Sequence, residues 1–155
     1  IFEQYDKLSR YIIERRKSGR PIKFYHFNID VNGGPCVYKR VSGCGAGFEY
    51  IAVTPEGDIY PCHQFVGNEK FKMGTVFEGI LNNDISAYFK NGHIYNKPDC
   101  KDCWAKFYCS GGCQANNYNF NGTILKPYGI GCILQRKRIE CALMIKAAES
   151  LEKQQ

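Results

Sequence analysis

The chain has 155 residues, of which 44% are apolar and 23% charged, and a formal net charge of +6. That length suits one ordinary domain and falls short of two full-sized ones, and the apolar share excludes wholesale disorder. No run of about eighteen apolar residues occurs, which excludes a membrane-spanning helix. The opening residues Ile1-Phe2-Glu3-Gln4 are neither a methionine start nor a basic stretch leading into an apolar one. The expectation is a piece of a longer cytoplasmic protein without a signal peptide.

Phe2, Tyr5, Leu8 and Ile12 recur at helical spacing, so residues 2–18 are predicted to form an amphipathic helix closed by Gly19 and Pro21. Residues 22–28 have the aromatic and β-branched content of a strand. Glycine-rich turns bearing thiols follow at Gly33-Gly34-Pro35-Cys36 and Gly43-Cys44-Gly45-Ala46-Gly47. A hairpin is predicted from 50–54 and 59–62, joined by Pro55-Glu56-Gly57-Asp58, with Cys62 where its second strand ends. Residues 75–90 have helical spacing around Val76, Phe77, Ile80 and Leu81, then Ile85, Tyr88 and Phe89. Residues 114–131 read as loop with a short helix, and a helix is expected from Ile133 to Leu151. The fold class is α+β.

Nine cysteines are far above ordinary usage, and an odd count fits a paired secreted scaffold poorly. Cys100-Lys101-Asp102-Cys103 has the spacing at which one turn directs two sulfurs to one metal, and Cys109 and Cys113 follow closely. Four thiols so close would repel one another if ionised without a cation. Zinc and an iron–sulfur cluster both accept such a set, and spacing alone leaves the two open. Cys141 lies on the apolar face of the last helix and reads as a packed core thiol.

The order Cys44, Gly57, Cys62, then Cys100-x2-Cys103-x5-Cys109-x3-Cys113, then Cys132 resembles the SPASM domain. That is the C-terminal auxiliary-cluster domain of radical S-adenosylmethionine peptide maturases. Residues 33–36, 42–47, 53–58 and 60–65 look like the maturases that install thioether cross-links in six-cysteine (SCIFF) precursor peptides. The resemblance implies two [4Fe–4S] clusters. Cys44, Cys62 and Cys113, with Cys36 as fourth ligand, would hold the inner one; Cys100, Cys103, Cys109 and Cys132 would hold the outer. His63 stands where some relatives carry an aspartate proposed as a proton acceptor, which makes it a candidate for proton handling or for a hydrogen bond to a ligand. A Cys-x3-Cys-x2-Cys loop is absent from these residues. S-adenosylmethionine and a third [4Fe–4S] cluster are therefore expected on a radical barrel in cis, and residues 1–155 alone are expected to be inactive.

On this reading residues 1–30 are the last helix and strand of a partial (β/α) barrel, 31–151 a small metal-organised domain, and 152–155 a tail. The domain would orient a cysteine-rich precursor peptide and relay one electron while a Cys-to-Thr thioether forms. Two alternatives stand beside it: a zinc-thiolate binding module without redox function, and the same domain serving sulfatase or another peptide. The basic runs Arg15-Arg16-Lys17, Lys39-Arg40 and Arg136-Lys137-Arg138 read as solvated faces, or as surface for an acidic peptide or the barrel. No nucleic-acid signature accompanies them, so neither nucleic acid nor membrane is an expected partner.

Overall fold

The computed structural model describes residues 1–30 and 36–152, so the expected Gly33-Gly34-Pro35 turn lies outside the described residues. The chain divides into two compact units, one of residues 1–35 with 129–155 and one of residues 36–128. The architecture is α+β, with several helices and a short antiparallel sheet.

In the first unit, helix α1 (Phe2–Lys17) forms where the periodicity puts it and buries Ser9 and Ile12. Glu3 in its first turn and Arg15, Arg16 and Lys17 in its last complement the helix dipole. The final helix, labelled α7 (Gly129–Glu152), starts earlier than the predicted Ile133 and buries Ile139, Cys141, Ala142 and Ile145. Ile12, Phe27, Cys141 and Ile145 make one apolar core, with Tyr5, Leu8 and Phe24 packed against it. The two helices run in the same direction. Near their starts Asp6 pairs with Lys137 at 2.7 Å and the Tyr5 hydroxyl accepts from Arg138 Nε at 3.2 Å. Near their ends Arg16 pairs with Glu149, and Lys17 with Glu152 at 3.3 Å. Two of the basic runs therefore tie one helix to the other.

The strand predicted over 22–28 is not formed. Tyr25–Phe27 is a single 3-10 turn. A strand needs a hydrogen-bonded neighbour, and every strand of the sheet belongs to the other unit. The aromatic residues that favour strands serve packing here. The rings of Phe24 and Phe27 meet edge-on at 4.9 Å, and Tyr5 meets Phe27 at 5.6 Å. No barrel strand is thus present among the described residues of 1–30.

In the second unit a short helix α2 (Val37–Ser42) precedes the expected hairpin of β1 (Ala52–Val53) and β2 (Asp58–Tyr60), paired Ala52↔Tyr60 and Val53↔Ile59. The Gly57 N–H donates to the Thr54 carbonyl at 2.9 Å and closes the turn. Strands β3 (Gly74–Thr75) and β4 (Gly79–Ile80) extend the sheet in the order β1-β2-β3-β4. Residues 75–81, predicted as helical, form this second hairpin instead. Val76, Phe77 and Leu81 are exposed, so their helical spacing buries no face. Helix α3 (Asn83–Asn91) follows as expected and turns Ile85 and Phe89 inward. Three short helices complete the unit: α4 (Pro98–Lys101), α5 (Lys106–Cys109) and α6 (Gln114–Asn121).

The core of this unit is aromatic. Phe65, Phe71 and Phe89 meet pairwise at 4.4 to 5.8 Å between ring centres, Tyr118 leans on Phe71 at 4.7 Å, and Met73 and Ile124 fill the remainder. Edge-on aromatic packing of this kind contributes beyond the area it buries. The expectation of a domain organised around metal is corrected accordingly: apolar side chains organise this one. Among the described residues no helix is long and apolar enough to cross a membrane.

Candidate functional site

Cys62 lies at the end of β2, buried, where the chain enters a 3-10 turn over His63–Phe65. The backbone N–H groups of Gln64 and Phe65 are directed at its sulfur. Gly47 adopts φ +80, and its N–H is shared between the carbonyls of Tyr50 at 2.9 Å and Pro61 at 3.0 Å. A left-handed glycine at that point lays the 44–50 loop beside Cys62. Cys113 precedes α6, its carbonyl accepting the Asn117 N–H at 2.9 Å. Gln64 Nε2 reaches across to donate to Cys113 Sγ at 3.5 Å.

The electrostatics bring a third sulfur into the same place. Burial pushes the Cys62 thiol up from its ordinary range; the N–H groups of Gln64 and Phe65 oppose this, and the charges of Cys113 and Cys44 add to it. Burial also pushes the Tyr50 phenol up, reinforced by Cys44, Cys62 and Cys113 and by a hydrogen bond with Cys44. Cys44, Cys62 and Cys113 are thus all within electrostatic reach of Tyr50, without forming a group that could hold a metal ion. The sequence singles out neither Tyr50 nor Gln64: Tyr50 lies outside the motif stretches, and Gln64, inside the 60–65 stretch, has no metal-ligating side chain to mark it.

The other candidates are placed as follows. Cys36 is exposed at the start of α2, Cys100 is buried in α4, and Cys103 and Cys109 are half-buried. Cys132 is half-buried on α7, in the first unit, whereas Cys100, Cys103 and Cys109 belong to the second. His63 is exposed beside Cys62. Trp104, Phe107 and Tyr108, within the segment from Cys100 to Cys113, are exposed.

Among the described residues, no three His, Cys, Asp or Glu side chains stand together as a group that could hold a metal ion. This overturns the expectation of two [4Fe–4S] clusters, and the zinc-thiolate alternative meets the same finding. Thiolate ligands must crowd a common centre, with metal–sulfur bonds of about 2.3 Å for zinc. Here Cys44 and Cys113 instead hydrogen-bond to Tyr50 and Gln64. The residues as arranged do not fit either group.

Residues 44–104 match the SPASM family, described as an iron–sulfur cluster-binding domain. This stretch is similar to a SPASM domain. It begins at Cys44 and covers the sheet, the core phenylalanines Phe65, Phe71 and Phe89, and Cys100-x2-Cys103, while Cys113 lies beyond it. An uncharacterized protein of Archaeoglobus fulgidus is 30% identical over 139 residues, covering 81% of this chain and 32% of its own length. The antilisterial bacteriocin subtilosin biosynthesis protein AlbA of Bacillus subtilis is 31% identical over 94 residues, covering 56% of this chain and 20% of its own. The chain therefore spans about a third and a fifth of these relatives' lengths.

Proposed function

We propose that this chain is the substrate-orienting part of a radical S-adenosylmethionine peptide maturase, receiving a cysteine-bearing precursor peptide and presenting its thiol for thioether formation. The observation that carries the reading is the convergence of Cys44, Cys62 and Cys113 around Tyr50, in the unit that contains the SPASM-like stretch. A peptide substrate is favoured by the likeness to a bacteriocin biosynthesis protein.

The chemistry balances with few parts. S-adenosylmethionine held on the barrel would supply the radical chemistry that removes a hydrogen atom from a threonine carbon, and the peptide thiol would give up its proton as its sulfur bonds to that carbon. One electron is left over, and because the thiols described here hold no redox centre, its acceptor would lie on the barrel. The residues described here orient the peptide; Gln64 and the N–H groups beside Cys62 supply hydrogen bonds to sulfur. His63, exposed next to Cys62, is proposed to handle the thiol proton.

The test uses the full-length protein with S-adenosylmethionine, a reductant and a peptide bearing cysteine and threonine. Loss of two hydrogens from the peptide per cross-link, abolished separately in Cys44→Ala, Cys62→Ala and Cys113→Ala, is the expected result. Wild-type cross-linking that persists in all three variants would contradict the assignment.

A further inference from the structure

We propose that Lys97 is the positioning residue for the three converging thiols, an inference that rests on the thiol site described above. Its side chain is wholly buried, which for a lysine requires acceptors. Nζ donates to the Gly111 carbonyl at 2.9 Å, and Asn117 Nδ2 donates to the same oxygen at 3.1 Å. The main-chain carbonyl of Lys97 accepts the Cys100 N–H at 2.9 Å and the Lys101 N–H at 3.1 Å. One residue thereby holds both ends of the segment from Cys100 to Cys113.

What it holds is a run that L-residues avoid. Ser110 (φ 55), Gly111 (φ 81) and Gly112 (φ 74) are consecutively left-handed, and Ser110 is the one non-glycine with positive φ among the described residues. Such conformations persist only where their surroundings fix them. A Cβ at Gly111 would stand 2.9 Å from Lys97 Nζ, so glycine supplies both the φ and the room. The same turn receives the neighbouring thiol segment. A Cβ on Gly43, the residue before Cys44, would stand 3.2 Å from the Ser110 carbonyl. Lys97 therefore fixes Gly111, the turn directs Cys113 to Gln64, and its Ser110 end seats Gly43 and with it Cys44.

The test follows alkylation of every thiol by iodoacetamide in full-length protein, read by mass spectrometry. Wild type is expected to protect Cys62 and Cys141, both buried. Lys97→Met keeps the side-chain length and removes the donors. It is expected to speed Cys62 alkylation by about fivefold or more through local opening, with hydrogen-exchange protection of helix α3 (Asn83–Asn91), in the same unit, unchanged as the folding control. Lys97→Arg, which retains donors and charge, is expected to return Cys62 to within about twofold of wild type. An unchanged Cys62 rate in Lys97→Met, or an arginine variant no better than the methionine one, overturns the role of Lys97. A wild-type Cys62 that reacts as fast as exposed Cys36 overturns the thiol site itself. Should Lys97→Met fail to fold, seen as loss of hydrogen-exchange protection in α3, acylation of wild-type lysines decides the matter. Lys97 labelled far more slowly than exposed Lys70 and Lys126 supports the role, and equal labelling overturns it.

Discussion

The two units solve the same problem by different means. The first joins two long helices running the same way, with an aliphatic and aromatic seam inside and ion pairs at both ends. The second has strands of two or three residues and helices of nine or fewer, too short to stand alone. Its stability rests on a buried cluster of phenylalanines and on side chains that bond loops to loops. The difference teaches where chemistry can be built. Long helices leave little backbone free to direct thiols at one another, whereas short elements joined by left-handed turns bring Cys44, Cys62 and Cys113 together from three separate segments.

Substitutions can break that contrast. Phe89→Ala removes a wholly buried ring that touches Phe65 and Phe71 and is expected to cost about 3–5 kcal/mol. In urea denaturation the second unit should open first, with Cys62 becoming reactive to alkylation while Cys141 stays protected; simultaneous exposure of both thiols would show that the units melt together. Ile12→Ala addresses the first unit and should cost about 2–4 kcal/mol, with the opposite pattern of thiol exposure.

Smaller effects sharpen the picture. Burial pushes the Cys141 thiol up, against a hydrogen bond from Ser9 and the charge of Lys137. Its neutral form is favoured by folding, so its contribution is complete below the ordinary thiol range. It is lost as pH rises from about 9 through the folded value. Denaturation midpoints taken between pH 7 and 10.5 should fall more steeply in wild type than in Cys141→Ala, and parallel curves would contradict the assignment. Lys137→Gln, which breaks an ion pair at the edge of the seam, should have the smallest effect and lose even that in high salt.

The contrast also explains how much could be read from the sequence. Helix α1 declares itself because Phe2, Tyr5, Leu8 and Ile12 repeat with one period over many residues. The first hairpin declares itself through Pro55-Glu56-Gly57-Asp58. The strand expected at 22–28 and the helical piece expected at 75–81 fail for one reason, since short apolar runs take whatever structure their neighbours impose. Phe24 and Phe27 pack on Tyr5, and Val76 and Phe77 lie on an exposed hairpin turn. For the proposed site, family spacing singles out Cys44, Cys62 and Cys113. It gives no signal for Tyr50, Gln64 or Lys97, because a buried lysine or a bridging amide is defined by what lies opposite it in space. The metal clusters implied by the resemblance do not match the arrangement of the thiols, since spacing along the chain carries no distance between sulfurs.

The most direct test of the central claim is a map of thiol proximity in native full-length protein. A short bifunctional thiol reagent, followed by proteolysis and mass spectrometry, reports which cysteines lie within reach of one another. The account predicts cross-links joining Cys44, Cys62 and Cys113 in pairs, with Cys141 in none. Cross-links confined to Cys100, Cys103 and Cys109, with Cys62 unlinked to either Cys44 or Cys113, would contradict it.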